Sequence, residues 1–382
     1  MQEQYPAFLR GKKVLLTTSH TDVGSGGSMQ MYLLADHLVR AGAVVHVLFK
    51  QGKKGVARKL DLYHAIGISP ELFRPNRWWS PVQILRMRRR LVREKYDIIH
   101  THKGGDLSLV LLASLGLPVP VLVNQRGVNF RLGANRFKYN LKRLDRTIVV
   151  SEESRKVMVD CNVRPEKIEV IYGGVDLDRF RPDGDGNKIR AEFGLPADAP
   201  LFLVVANLVR QKGHGDYLEA AALLQKKHPG CFHLFAGSGD PTALREQAVA
   251  LGIADQVIFA GFRKDVPDLF AAADVSVFPG FAGEGVSGVL RESLACGVPV
   301  ITTDVGGNAE LIRNEQYGLV VEKRNPEALA AAMTRLLEEP EMARELAEAG
   351  RAHVLENHSA EARNRRMFDL YKKIAMGKGY EW

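Results

Sequence analysis

The chain has 382 residues, 46% apolar and 25% charged. That excludes a disordered or fibrous protein and makes two domains the expectation. Its three cysteines, Cys161, Cys231 and Cys296, are an odd number without paired or metal-type spacing, which points to a reducing compartment and away from a disulfide frame or zinc site. The net charge of +9 is uneven: residues 1–180 carry 30 Lys and Arg against 16 Asp and Glu, and the remainder 23 against 28. The first half is therefore expected to face something anionic, with nucleic acid, a membrane surface and a phosphorylated substrate all open on charge alone.

The opening "MQEQYPAFLRGKK" is polar and reads as no secretory signal. "KVLLTTS" (Lys13–Ser19) predicts a strand and "MQMYLLADHLVRAG" (Met29–Gly42) a helix that stops at a glycine. "VVHVLF" (Val44–Phe49), "YDIIHTH" (Tyr96–His102), "PVLVNQ" (Pro120–Gln125) and "TIVVS" (Thr147–Ser151) follow as strands. The apolar run Leu107–Val123 stops short of a membrane span and is broken by Gly116, Pro118 and Pro120, so it reads as a buried helix and then a strand. The second half repeats the alternation with strands at Leu201–Leu208, Cys231–Gly237, Gln256–Gly261, Val275–Pro279 and Val298–Thr303. Continuous apolar strands between helices indicate parallel sheets covered on both faces. The predicted fold is α/β, with two facing doubly wound Rossmann-like domains, 1–180 and 195–360. The Gly-, Pro- and Asp-rich stretch near 180–200 reads as a hinge, and the cleft between the domains as the expected site.

The segment "EGVSGVLRESLACGVP" follows the strand "VSVFP". It places Glu284 in a loop at a strand's carboxyl end and starts a helix near Val286 or Ser287, with Glu292 in its second turn. The first-turn amides of Ser287, Gly288 and Val289, with Gly285 before them, would suit a phosphate, and a carboxylate beside them could accept two hydrogen bonds from a vicinal diol. Those demands fit a sugar nucleotide; a loop acid and a solvated helix acid are the plainer alternative. "DVGSGGSMQ" opens the first helix, where Gly26 and Gly27 leave room for a ligand or simply make a tight turn. It has neither the G-x-G-x-x-G pattern nor the P-loop lysine pattern. His102 ends a strand next to glycines and could bond a sugar hydroxyl or take a proton, or be a satisfied structural histidine. His100 is expected on the opposite side of that strand, away from the site.

These stretches, with "VANLVRQKGH", "AGSGD", "ADVSVFP", "VIYGGVDLDRF" and "SGGSMQMYLLADHLVRAG", resemble the retaining glycosyltransferases of the GT-B fold, family 4, whose hallmark is an E-x7-E motif. The likeness spans nearly the whole chain in the family's order. The resemblance implies that Glu284 contacts the donor sugar hydroxyls, that Glu292 holds the ribose diol, and that Lys212 lies on the diphosphate. It also implies that His102 lies near the reacting sugar, with Gly26, Gly27 and Gly237 lining the donor or acceptor site. Phe262 and Arg263 would bracket the base, Phe262 in the core being the alternative. The sequence departs from the family at Asn207, where an arginine is usual, leaving Arg210 or Lys212 with backbone amides to grip the phosphates. It departs again at Arg126, which stands where a histidine and glycine are usual and suits an anionic acceptor or a structural ion pair. The family likeness further implies a final helix (about 361–382) crossing back to the first domain.

"FRPNRWWSPVQILRMRRRLVREK" (Phe73–Lys95) holds eight Lys and Arg against Glu94. Ile84, Leu85, Leu91 and Val92 are expected as its apolar stripe, flanked by Arg86, Arg89, Arg90 and Arg93. Trp78 and Trp79 precede it, a pattern that suits an anionic membrane surface across residues 77–95 or a solvated helix face. No nucleic-acid-binding signature accompanies the charge, so no nucleic acid is expected.

The expected activity is transfer of a hexose from a UDP-, GDP- or ADP-sugar to a glycan or lipid-linked acceptor, with retained stereochemistry and no metal or other cofactor. A cytoplasmic place fits it, at the inner membrane face if the basic segment docks, in lipopolysaccharide or other surface-polysaccharide synthesis. A sugar-nucleotide epimerase and a non-catalytic sugar-nucleotide-binding subunit are the alternatives.

Overall fold

The computed structural model describes residues 5–382 except 21, 22, 24, 25, 51–59, 74–79, 128–130 and 284. Glu284, Trp78 and Trp79 therefore lie outside the described residues. The chain forms two compact units, Met1–Gly174 with Ala360–Trp382, and Val175–Ser359.

The first unit holds a parallel sheet of β1 (Lys13–Thr18), β2 (Val44–Lys50), β3 (Glu71–Phe73), β4 (Ile98–Thr101), β5 (Val121–Arg126), β6 (Arg146–Val149) and β7 (Ile168–Val170), in the order β3-β2-β1-β4-β5-β6-β7. Side chains alternate between its faces. Val14 and Leu16 pack with Met31, Leu34 and Tyr371 on one side. Leu15 packs with Met87, Ile99 and Leu107 on the other. The last helix, Ala360–Gly377, belongs to this unit and is pinned by polar contacts far along the chain. Arg363 Nη2 donates to Gln125 Oε1 (3.0 Å), Asn364 Nδ2 to Leu33 O (3.1 Å), and Lys378 Nζ pairs with Asp145 (2.7 Å).

The second unit holds β8 (Leu201–Val205), β9 (Phe232–Ala236), β10 (Val257–Gly261), β11 (Val275–Phe278), β12 (Val300–Thr303) and β13 (Leu319–Val321), in the order β10-β9-β8-β11-β12-β13, again all parallel. Leu201 and Leu203 face Leu290 and Leu294, while Phe202 and Val204 face Tyr217, Leu218 and Leu224. The strands β3, β7 and β13, missed in the sequence, are three residues each and sit at sheet edges. An edge strand needs no long apolar run, so periodicity does not reveal it.

Two expectations are corrected. The segment 180–200 is not a hinge: it carries the helix Gly186–Glu192 within the second unit, and Ile189 and Leu195 join the core there. Gly184 and Gly186 lie so close to Pro267 and Ala271 that a Cβ would come within 2.7 and 2.4 Å of their carbonyl oxygens. The unit boundary instead falls at 174/175, where Val175 N donates to His358 O (2.8 Å), so the chain enters and leaves the second unit side by side. In the basic helix Pro81–Glu94 the buried face is Met87 and Leu91, whereas Leu85 and Val92 of the expected stripe are exposed together with Val82.

Candidate active site

In a doubly wound sheet the ligand crevice opens beyond the carboxyl ends of the two strands between which the order reverses. In the second unit those are β8 and β11. The loop after β8 contains Asn207 and a short 3-10 turn, Arg210–Lys212, and the loop after β11 leads through 279–287 into the helix Gly288–Ala295. Backbone joins the two: Phe281 N donates to Gln211 O (2.9 Å). Gly213, at φ +71°, passes so close to Pro279 that a Cβ would lie 1.9 Å from its carbonyl oxygen. Only glycine meets both demands. Lys212, at the end of the 3-10 turn, holds its ammonium 5.1 Å from the centre of the Phe278 ring.

The loop before the helix is tied to residues after β12. Gly307 N donates to Gly285 O (2.5 Å), and Ser287 N donates to Asn308 Oδ1 (2.9 Å). Asn308 Nδ2 donates to Thr302 Oγ1 (3.0 Å), and Thr303 Oγ1 bonds Gly280 O. This corrects the expectation for Ser287: its amide is committed to Asn308, and Gly288 and Val289 are left to open the helix. Val286, just before Ser287, is half-buried. Glu292, one turn on, is half-buried, with its carboxylate near the Gly288 backbone; a Cβ there would lie 3.6 Å from Oε1. Burial raises the Glu292 carboxyl, while Arg179 and Arg291 oppose the rise. Arg291 was not singled out in the sequence. It is buried, its Nε and Nη1 find no partner among the described residues, and burial lowers it to about 10 against the pull of Glu292. An arginine on an otherwise apolar helix face is the only sequence signal for it, and Asn308 has none short of its contacts.

Three further residues take different parts from those expected. Asn207 uses Oδ1 to accept from Ser238 N (3.3 Å), and its carbonyl is bonded by His214 Nε2 (3.0 Å), so it braces the loops after β8 and β9. Gly237 is required by backbone: a Cβ would meet Ala206 O at 1.9 Å. Arg263 commits its guanidinium to Glu192 (2.7 Å) and Asp265 (2.7 Å), which raises it and takes it away from a nucleobase. Phe262 is 54% exposed, which removes the core alternative. A hollow of about 430 Å³ nearby, lined by Arg210, Gly213, His214, Asp216, Asp240 and Phe281 among others, touches neither Lys212 nor Glu292.

In the first unit the order reverses between β1 and β4. His102 follows β4, and its amide donates to Thr17 O (2.8 Å). Its ring stacks on His100 with centroids 4.3 Å apart, because residues two apart share a strand face. This overturns the placement of His100 on the opposite side. His100 Nδ1 bonds Tyr371 OH (2.6 Å), and burial drives His100 down to about 3. Burial first, then His100, Arg363 and His20, lower His102 well below its ordinary value. It is therefore a neutral imidazole and a weak base, with Nε2 buried and unpartnered among the described residues, fit to hydrogen-bond a hydroxyl. Beside it Ser19 donates to Asp106, whose other oxygen is buried without a partner among the described residues and whose carboxyl burial raises to about 6. Gly26 begins the helix Gly26–Arg40, and among the described residues nothing comes within 4 Å of where its Cβ would be; at Gly27 a Cβ would lie 3.3 Å from His20 Nε2.

Two parallel sheets with glycine-built loops at both switch points define a doubly wound, ligand-binding type of α/β protein, and comparison with known proteins gives the family. Residues 24–179 match Glycosyltransferase Family 4 and residues 185–353 match Glycosyl transferases group 1. The chain belongs to the GT-B glycosyltransferases of family 4. It is 30% identical to a D-inositol 3-phosphate glycosyltransferase of Acidothermus cellulolyticus, over 69% of this chain and 64% of that one. It is 31% identical to EpsD of Bacillus subtilis, over 72% of this chain and 76% of the other. The match spans 55–64% of the length of the first three curated relatives. Anabaena HepE, solved with UDP, superposes with a TM-score of 0.82 at 20% identity, over 94% of this chain and all of HepE; at that identity the likeness speaks for the fold.

Proposed function

We propose that this protein transfers a hexose from a nucleoside diphosphate sugar to a hydroxyl of a glycan or lipid-linked acceptor, with retention at the anomeric carbon and without a metal. The second unit would hold the donor. The carrying observation is the half-buried Glu292 behind the open amides of Gly288 and Val289: a carboxylate for the ribose diol beside a helix N-terminus for the diphosphate. Lys212 and the buried Arg291 would supply the positive charge that Asn207 lacks, stabilising the leaving diphosphate. Glu284 would meet the donor sugar. No protein nucleophile is needed if the leaving phosphate accepts the acceptor's proton on the same face. The UDP and UDP-glucose seen in HepE favour a uridine donor.

The first unit would hold the acceptor, with His102 offering Nε2 to a sugar hydroxyl. Its excess of cations, together with Val82, Leu85 and Val92 exposed beside Arg86 and Arg89, suits an acceptor at a membrane surface, as in lipopolysaccharide or other surface-polysaccharide synthesis. No described helix is long and apolar enough to cross a membrane.

Calorimetric titration with UDP, GDP and ADP in EDTA tests the donor reading. One nucleotide should bind without metal, and Glu292→Gln should weaken it by about 2–3 kcal/mol, the worth of a charge-assisted hydrogen-bond pair. Unchanged affinity would remove the ribose role. Binding without any sugar transfer would favour the non-catalytic alternative, for which the uncharged Asn207 is the supporting observation.

A further inference from the structure

The hollow of about 430 Å³ beside the loop after β8 is walled by the starts of two helices. His214 and Asp216 open the helix His214–Gln225, and Ala243 lies in the first turn of the helix Thr242–Ala250. First-turn amides have no carbonyl of their own helix to bond. Gln247 Nε2 donates to Gly215 O (3.1 Å) and so fixes one helix against the other. Phe281 and Arg324 add a stacked pair to the wall, the guanidinium 4.1 Å from the ring centre.

Two acceptors at the first helix start are left needing a donor. His214 is only 3% exposed, and its Nε2 donates to Asn207 O (3.0 Å). Burial lowers the imidazole against the pull of the Asn207 carbonyl and keeps it neutral. Nδ1 therefore carries a lone pair, buried and without a partner among the described residues. Two residues on, Asp216 Oδ2 is also buried without a hydrogen-bond partner among the described residues. Burial raises that carboxyl, with Arg324 opposing. A histidine that serves only the core pairs both nitrogens, as His233 of the same unit does with Tyr217 OH (2.8 Å) and Gln225 Nε2 (3.4 Å). Leaving a buried acceptor unpaired costs about 1–3 kcal/mol. The remaining acid, Asp240, is satisfied by Thr242 N (3.0 Å) and Oγ1 (2.6 Å).

These demands select the class of ligand. Arg210 and Arg324 against Asp216 and Asp240 leave the lining without net charge, so it favours neither an anion nor a cation. An anion accepts hydrogen bonds but has none to give to His214 Nδ1 or Asp216 Oδ2. An ammonium ion gives them but accepts none from helix-start amides or guanidiniums. A hydroxyl does both, and a ring bearing several hydroxyls also has an apolar face to lay on Leu244 or Phe281. The volume falls in the range of small-molecule pockets. Neither Lys212 nor Glu292 lines the hollow, so a ring held there is separate from the hexose of the donor. We propose that this hollow is a second carbohydrate site, which takes one pyranose ring of a glycan chain outside the reaction centre. The inference deepens the glycosyltransferase reading and rests on it, since the chain is the acceptor or product of that transfer.

The test uses the full chain and saturation-transfer NMR, which detects contacts of roughly millimolar affinity. The probes are the methyl glycosides of glucose, mannose and N-acetylglucosamine, whose blocked anomeric oxygen imitates a ring within a chain. At least one should receive saturation, both alone and with an excess of the nucleotide that binds in the donor titration. Two exposed positions locate it: Ala243→Trp fills the hollow, and Arg324→Ala strips the guanidinium from Phe281. Each should weaken sugar binding roughly tenfold with nucleotide affinity unchanged, which also shows that the variants fold. No saturation of any probe, or equal affinity in both variants, overturns the site. Saturation of the free sugars but of none of their methyl glycosides overturns the glycan chain as occupant. If a nucleotide binds and no sugar does, only this inference fails; if sugar binds as described and no nucleotide does, only the donor reading fails.

Discussion

The second unit walls its switch point with backbone and small residues. Gly213 lies against Pro279 and Gly237 against Ala206, with Asn308 fastening the loop ahead of Gly288. The first unit fills its own with titratable side chains held in the dark: His100 stacked on His102, Asp106 on Ser19, and Lys138 against Gly104. Both sheets have the same reversal of order, so topology does not cause the difference. A diphosphate offers many oxygens and little individuality, and backbone amides serve it well. An acceptor that differs from protein to protein has to be read by side chains. In this chain, then, rigidity lies in the half proposed for the donor and chemical individuality in the other.

The sharpest way to break that contrast is Gly213→Ala. The methyl would sit 1.9 Å from Pro279 O at a left-handed φ, so a loss of more than about 4 kcal/mol in denaturant unfolding, and of nucleotide binding, is expected. Tolerance of the methyl would mean that the loops after β8 and β11 are not locked. Asn308→Ala comes next. It strips partners from Ser287 N and Thr302 Oγ1 and should cost about 2–3 kcal/mol, with nucleotide affinity falling alongside.

In the first unit the expected effect has the opposite sign. The Asp106 carboxyl is raised to about 6 by burial, so the folded protein holds a proton there that the unfolded chain, near its ordinary value of about 4, has released. Stability from this group is present below about pH 4 and is lost as pH rises through about 6. Asp106→Asn keeps an acceptor for Ser19 and removes the charge. It should match the wild type below about pH 4 and exceed it by about 1–2 kcal/mol above about pH 6 in urea melts. A pH-independent difference would show that Asp106 does not titrate as described. The smallest effect is reserved for Arg263→Ala. Its guanidinium is taken by Glu192 and Asp265, so nucleotide affinity should stay within about twofold. A larger loss would return the side chain to the nucleobase.

The two units also differ in what can be read along the chain. Glu292 in the second turn of a helix opened by small residues was legible as a local pattern, whereas Lys212 was reached only through the family resemblance. Asn207 was legible as a departure, but its bond to Ser238 N was not, since the partner lies on another strand's loop. His100 was within reach of the sequence, because strand alternation puts residues 100 and 102 on one face. The boundary near 180–200 was not, because Gly, Pro and Asp mark packed turns as readily as linkers; Gly184 and Gly186 are there to let a helix approach.

The sequence by itself determined the two parallel sheets, because apolar runs of strand length between helical periods can be buried on both faces in few other ways. It also determined the family, through motifs in their order. Only the tertiary structure decided that Gly213 yields to Pro279, that Arg291 is buried with Nε and Nη1 unpartnered among the described residues, that the buried Lys138 ammonium bonds neutral acceptors, that Arg263 is spent on an ion pair, and that Arg126, Arg131, Arg136 and Lys138 share one hollow. Those facts depend on contacts between residues far apart in the chain. Burial, which sets the cost and the reactivity of a charge, belongs to the folded molecule and to no single stretch of it.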